Sequence, residues 1–312
     1  MKRFTKILKW TGLVILFIVV GLVATVFARQ NLKFTAPYPR IVASQDTAVI
    51  ARGRHLVYSM AHCVYCHNRG NADSLIALGQ EVPLDGGVMF DLPIGKVYSK
   101  NITSDKETGI GKYSDEEIAR ALRFGVHPDG AAVFDFMPFH DLSDEDLTAI
   151  ISYIRMQKPV HNQVPKNELN FMGKAVNAFL VKPVGPVAEP PATVPADSTA
   201  AYGSYIAMSI AECNGCHTQR DMAGRFVGEP FAGGNEIEGF ITPNLTTDST
   251  GKLFGWTKET FINRFRAGKL KTGTPMPWNA FKHMTDQELT AVYNFLKTTK
   301  PVKTAWPEKA SK

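Results

Sequence analysis

The chain has 312 residues, room for two domains of ordinary size plus extras, and a formal net charge of +6. Lys2, Arg3, Lys6 and Lys9 supply most of that excess and all precede the first apolar run. What remains is too weak to argue for a nucleic-acid partner.

From Trp10 to Ala28 no residue is charged, and the middle reads Leu13-Val14-Ile15-Leu16-Phe17-Ile18-Val19-Val20. About 20 apolar residues cross a bilayer as a helix, and this run is just long enough. The basic residues before it should stay cytoplasmic, which puts everything after Arg29 outside. A cleaved signal peptide is the alternative, since Val26-Phe27-Ala28 has the small-residue character of a cleavage site. Signal cores are usually about 7 to 15 residues long, so residues 1–34 are read as a retained membrane anchor.

Next comes Cys63-Val64-Tyr65-Cys66-His67, and its second copy is Cys213-Asn214-Gly215-Cys216-His217. C-x-x-C-H is the attachment sequence for c-type haem: two thiols add across the porphyrin vinyl groups, and the adjacent imidazole reaches the iron from the proximal side. Two other readings compete. Zinc ribbons usually separate their cysteine pairs by about 15 to 20 residues, far less than here. A thioredoxin-type pair belongs near a βαβ pattern and does not ask for the histidine. Two intact motifs with no cysteine left over favour two covalently bound haem c groups.

Self-comparison supports a duplication. Gly53 precedes the first motif as Gly203 precedes the second; Asn101-Ile102-Thr103-Ser104-Asp105 matches Asn244-Leu245-Thr246-Thr247-Asp248; Arg123 aligns with Arg266; and Lys158-Pro159-Val160 answers Lys300-Pro301-Val302. Within each copy the pattern is helical. Ser114-Asp115-Glu116-Glu117 reads as a capping box opening a helix that Gly125 stops, and Thr285-Asp286-Gln287-Glu288 opens the last helix in the same way. Leu147, Ile150, Ile151 and Ile154 form one apolar helix face, as do Leu289, Val292, Tyr293 and Leu296. No long alternating strand pattern occurs. The predicted fold is therefore all-α: two tandem class I cytochrome c domains, residues 35–160 and 201–312, after an N-terminal transmembrane helix. Between them, residues 161–200 hold Pro183, Pro186, Pro190, Pro191 and Pro195 and read as a semi-rigid connector. Its first part, Phe171 to Val181, is apolar enough to lie against a haem domain.

A proximal histidine leaves one iron position, and what fills it decides between carrying electrons and handling a small molecule. Met137 and Met276 are the only methionines followed by proline, and each lies shortly before the capped final helix of its copy. Met89, Met156, Met222 and Met284 have no matched partner. Met137 and Met276 are thus the predicted axial thioethers, the prolyl ring fixing the loop over the open haem face. Among the histidines, His62 is too close to its motif to cross to the distal face, and His127, His140 and His283 lack aligned counterparts. Asn101 and Asn244 lie in N-x-T, a glycosylation acceptor in some secreted chains; the extended repeat favours a loop beside the haem propionates. Tyr113 aligns with Trp256, and with Arg123 and Arg266 they are either propionate contacts or a packing aromatic and a solvated arginine.

The runs Gly86-Gly87, Ser99-Lys100-Asn101-Ile102-Thr103-Ser104-Asp105, Thr108-Gly109-Ile110-Gly111-Lys112-Tyr113-Ser114, Met137-Pro138 and Cys213-Asn214-Gly215-Cys216-His217-Thr218-Gln219-Arg220 resemble the cytochrome c subunits of membrane-bound alcohol and gluconate dehydrogenases. The similarity covers about residues 46 to 302. It implies covalent attachment at Cys63, Cys66, Cys213 and Cys216, proximal ligation by His67 and His217, and distal ligation by Met137 and Met276. Many such subunits carry three haems, where this chain has two attachment motifs. The resemblance implies a non-enzymatic electron carrier on the periplasmic side of a bacterial cytoplasmic membrane. It would take electrons from a periplasmic dehydrogenase or quinol-oxidising complex and pass them to quinone or a terminal oxidase. A di-haem enzyme of peroxidase or thiosulfate-oxidising type is the alternative, and it needs an iron with a displaceable sixth ligand.

Overall fold

A computed structural model describes residues 2–70, 72–134, 137, 139–221 and 224–304; Pro138 and Met222, named above, lie outside the described residues. The first half comprises helices α1 (Lys2–Arg29), α2 (Thr47–Tyr58), α3 (Cys63–His67) and α4 (Asp73–Ala77), strands β1 (Met89–Leu92) and β2 (Gly95–Tyr98), and helices α5 (Asp115–Phe124) and α6 (Asp144–Met156). The connector holds strand β3 (Glu168–Leu169) and helix α7 (Phe171–Phe179). In the second half helix α8 (Ala200–Tyr205) runs on as a π-turn over Ile206–Ile210; then come helix α9 (Cys213–His217), strands β4 (Glu236–Ile237) and β5 (Phe240–Ile241), and helices α10 (Lys258–Arg266), α11 (Trp278–Phe281) and α12 (Asp286–Leu296).

The chain is mostly helical, and the all-α expectation needs one correction. An antiparallel β1-β2-β3 sheet and a β4-β5 hairpin flank the helices. Strands of two to four residues are too short for an alternating pattern to register. The β2–β3 pairing rests instead on Gly95, at φ 116°, where a Cβ would lie 2.3 Å from Glu168 O.

The helix boundaries follow the local chemistry. Ser114 and Glu117 form a reciprocal capping box on α5, and Gly125 at φ 60° ends it. Thr285 and Glu288 do the same for α12, and Ser143 caps α6 through Asp146 N. The apolar faces of α6 and α12 pack against α2 and α8. At each crossing a glycine is obligatory: a Cβ on Gly53 would lie 1.9 Å from Ala149 O, and one on Gly203 1.9 Å from Ala291 O.

One apolar cluster runs through both halves, from Leu56, Val57 and Ile151 to Ile206, Ile210 and Leu289. Polar groups join the halves around a pseudo-two-fold centre. Arg52 Nε donates to Asp146 Oδ1 at 2.9 Å, Nη1 to Glu288 Oε1 at 3.2 Å and Nη2 to the hydroxyl of Tyr202, its own repeat counterpart, at 3.3 Å. His55 Nε2 lies 2.9 Å from both Glu288 oxygens. Its counterpart Tyr205 donates to Asp146 Oδ2 at 2.9 Å. The connector is fastened as well: Asp144 N and Glu145 N donate to Pro191 O and Ala192 O, each at 3.0 Å, satisfying first-turn amides of α6. Gln287 and Asn294 of α12 donate to Ala196 O and Ser198 O.

Two outcomes test this packing. Gly203→Ala should lower the urea-unfolding free energy by about 1 to 3 kcal/mol, because backbone rather than a flexible side chain must give way. Burial pushes the Glu288 carboxyl up, but the His55 hydrogen bond, the His55 and Arg52 charges and the Thr285 amide outweigh it, leaving the group below its ordinary value. Its contribution to stability is therefore complete above the unfolded value of about 4.3 and is lost as pH falls through the folded one. Glu288→Gln should flatten the acid limb of the stability curve below about pH 5 and cost about 2 to 4 kcal/mol at pH 7. An unchanged acid limb would refute this account.

Candidate functional site

Each C-x-x-C-H motif is a single helical turn, α3 or α9, that puts its two cysteines on neighbouring positions with the histidine directly after. The residue before each is left-handed although it is not glycine: His62 has φ 37° and Glu212 has φ 52°. Such a conformation costs about 1 to 3 kcal/mol and persists where surrounding structure imposes it. That both copies hold it in the same place marks it as part of the site.

Both imidazoles are buried, each 7% exposed. His67 Nδ1 lies 2.7 Å from Lys100 O, and His217 Nδ1 lies 2.9 Å from Pro243 O. Burial pushes both imidazoles below their ordinary pKa, against the carbonyl bonds that raise it. The neutral ring therefore gives its proton to the carbonyl at Nδ1 and keeps the Nε2 lone pair for a ligand. Glycine makes these carbonyls reachable. Gly86 N donates to His67 O at 2.8 Å and Gly233 N to His217 O at 2.7 Å. A Cβ on Gly86 would lie 2.4 Å from Lys100 O, and one on Gly233 2.5 Å from Thr242 O.

All four cysteines are free of disulfides. Among the described residues no cluster of three or more His, Cys, Asp or Glu could hold a bare metal ion, so nothing supports a zinc ribbon. Desolvation pushes the Cys63 and Cys213 thiols up to about 12, and the Glu212 charge contributes to both. Neutral thiols one turn apart, a proximal imidazole with an open Nε2 and a glycine-cut approach fit a covalently attached haem c at each motif.

Met137 and Met276 are both half-buried against the core. Their carbonyls accept from the amide two residues on, Phe139 N at 2.9 Å and Trp278 N at 2.8 Å. Pro277 at φ −78° and ψ 58° makes the second of these an inverse γ-turn. The other methionines lie elsewhere: Met284 is core, whereas Met89 and Met156 are exposed.

The remaining repeated residues serve mainly to hold loops. Asn101 Nδ2 donates to Val160 O at 2.8 Å and Thr108 Oγ1 at 3.1 Å, while its Oδ1 accepts from Thr103 N. Asn244 donates to Val302 O at 2.8 Å and Thr304 Oγ1 at 3.2 Å and accepts from Thr246 N. Both amides are buried, so neither is a surface glycosylation acceptor, and both amide hydrogens are given to the loop. Arg123 braces α6 through Asp144 and Leu142 O, and Arg266 braces α12 through Asp286 and Lys282 O. Arg123 Nε is buried without a hydrogen-bond partner among the described residues. Tyr113 and Trp256 pack half-buried against the core and accept at their carbonyls from Arg155 and from the Tyr293 hydroxyl.

One link had no sequence signal. Tyr65, between the first pair of cysteines, donates to Asp73 Oδ1 at 2.7 Å, and Asn279 Nδ2, three residues after Met276, donates to the same oxygen at 2.9 Å. Lys269 Nζ lies 3.2 Å from Asp73 Oδ2, and the His62 and Phe281 rings meet edge-on at 5.5 Å. The first motif thus touches the loop that carries the second methionine.

Residues 200–296 match the family described as cytochrome C oxidase, cbb3-type, subunit III. The chain is 27% identical to the fructose dehydrogenase cytochrome subunit of Gluconobacter japonicus, over 85% of its own length and 54% of that protein's. It is 29% identical to the alcohol dehydrogenase (quinone) cytochrome c subunit of Gluconobacter oxydans (strain 621H), over 81% and 55%. With the gluconate 2-dehydrogenase cytochrome c subunit of Pantoea cypripedii it shares 27% identity over 81% and 60%. The chain spans somewhat more than half the length of these relatives. With both attachment motifs and their supporting loops inside the aligned span, the chain is similar over most of its length to the cytochrome c subunits of dehydrogenases.

Proposed function

We propose that the chain is a di-haem electron carrier: two tandem class I cytochrome c domains, residues 35–160 and 201–312, joined by the fastened connector and held by α1 at the cytoplasmic membrane with the haem domains on the periplasmic side. The observation that carries this reading is the duplicated Nδ1–carbonyl bond, which leaves the Nε2 lone pair of His67 and of His217 for a ligand directly after each cysteine pair. Cys63, Cys66, Cys213 and Cys216 would hold the haems covalently, and His67 with Met137 and His217 with Met276 are the residues that would ligate the irons. Asn101, Asn244, Arg123 and Arg266 keep the surrounding loops in place, and Tyr113 and Trp256 wall them. Bound haem supplies an iron that gains and loses one electron at a time.

What the protein adds is a closed coordination sphere and a rigid surround. With one imidazole and one thioether as ligands, a bound haem would have a higher potential than with two imidazoles and would offer no site for oxygen or peroxide. The residues assigned here orient and enclose; none is placed to make or break a substrate bond. The names of the relatives support a dehydrogenase as the electron donor; quinone or a terminal oxidase is the acceptor proposed.

Intact-mass measurement of the protein matured in a haem c-assembling host should show two covalent haems, and Cys213→Ala with Cys216→Ala should remove one. Met137→Ala and Met276→Ala should each abolish about half of the near-infrared sulfur-to-iron absorption. Carbon monoxide binding to the reduced wild-type protein would instead favour a di-haem enzyme with an open iron. Gly233→Ala should weaken the bond from His217 Nδ1 to Pro243 O, make that imidazole less basic and move only the second haem's midpoint potential upward. An unmoved potential would remove the role given to the carbonyl.

A further inference from the structure

Among the described residues of α1 the buried one is Val26, 5% exposed, near the end where the helix meets α7. Polar contacts surround that point. Arg29 Nε donates to Ala178 O at 3.4 Å, Asn177 Nδ2 donates to Gln30 O at 2.5 Å, and Lys174 Nζ stands 5.2 Å from the centre of the Phe27 ring. On its other side α7 is seated on the β1–β2 turn. Asn170 caps the helix through Gly173 N and donates to Pro93 O at 2.8 Å, and Gly173 packs so closely that a Cβ would lie 2.0 Å from Ile94 O. Helix α7 is therefore fixed both to the anchor and to the first half.

Its outward face is apolar and open: Phe171 is 53% exposed, Met172 52%, Phe179 42% and Leu180 63%. Helical spacing puts them along one side with Ala175 and Val176. No acidic residue occurs between Glu168 and Glu189, whereas Lys174 and Lys182 fall inside that stretch. Depth decides what covers this face. The uncharged run of α1 ends at Ala28, so in a hydrocarbon layer about 30 Å thick its end marks the outer boundary. Val26 lies three residues before Arg29, about 4.5 Å along the axis. Whatever packs on Val26 is at the level where acyl chains meet headgroups.

We propose that α7 is an interfacial membrane helix, with Phe171, Met172, Phe179 and Leu180 in the outer acyl boundary and Lys174 and Lys182 at the level of anionic headgroups. The lipid that surrounds α1 continues without a break onto the α7 face, and a short amphipathic helix with basic flanks suits that position. With one helix across the bilayer and a second along its surface, the haem-bearing halves are held in one orientation instead of swivelling on a single tether. The proposal rests on α1 crossing the bilayer. Nitroxide labels on Met172→Cys and Leu180→Cys, in the full haem-loaded chain reduced and reconstituted into phosphatidylcholine–phosphatidylglycerol vesicles, test it by power saturation. Phe17→Cys in α1 and Glu107→Cys on the exposed surface are the references. At 172 and 180, relaxation by oxygen should exceed relaxation by an aqueous nickel chelate several-fold, as at 17 and opposite to 107. Aqueous behaviour at 172 and 180 with an immersed label at 17 overturns the proposal while sparing the anchor, and assigns the face to water or a protein partner. An aqueous label at 17 overturns the anchor and the proposal together.

Discussion

An imidazole has two nitrogens, and which one is left for a ligand depends on what the other one bonds. In this chain that choice is made by two backbone carbonyls, Lys100 O and Pro243 O, and the rest of each half can be read as the means of bringing a carbonyl there. Lys100 adjoins Asn101, whose amide holds Val160 O just beyond α6. Helix α6 is positioned by its crossing with α2 at Gly53, and α2 leads into α3, which carries His67. The constraints close into a ring. The second half repeats it through Pro243, Asn244, Val302, α12, Gly203, α8 and His217. A substitution at either helix crossing therefore reaches the histidine through an unbroken series of short contacts.

Duplication did not leave two independent units. Arg52 and Tyr202 occupy equivalent places yet bond each other, and the equivalent pair His55 and Tyr205 reach across to Glu288 and Asp146. The carboxylates are 4% and 5% exposed and share one guanidinium. Buried ion pairs of this kind contribute little net stability relative to an apolar replacement, but removing one partner is costly because the other charge is stranded. Their effect is to permit one arrangement of the halves. With the Tyr65–Asp73–Asn279 link, they hold the first motif against the loop of the second methionine, and a fixed separation is what transfer between the two proposed haems would require.

What the amino-acid order disclosed was whatever has a local cause. The capping boxes at Ser114 and Thr285 and the stop at Gly125 follow from the chemistry of a few adjacent residues, and so do the C-x-x-C-H turns. Matching Gly53 to Gly203 and Asn101 to Asn244 worked because duplication repeats a constraint even when its partner is unknown. The roles of those residues were harder to see. An asparagine that staples a loop to a carbonyl about 60 residues later looks the same in sequence as one that faces a propionate. The five short strands are too brief for alternation to show, and Asp73 and Asn279 have no repeat counterparts that would draw them out.

The stretch from Phe171 to Val181 shows the limit most plainly. Its apolar residues read as a surface to be buried against a haem domain; Gly173 and Ala178 are buried, the first against Ile94 O and the second beside Arg29 of α1. Phe171, Met172, Phe179 and Leu180 point the other way. Hydrophobic spacing reports that a face leaves water without reporting whether protein or lipid receives it, since both exclude water on similar terms. Only the depth of a neighbour distinguishes them. Here that neighbour is the end of α1, reached through Val26, Arg29 and Gln30, a contact between segments far apart in the chain that local pattern does not encode.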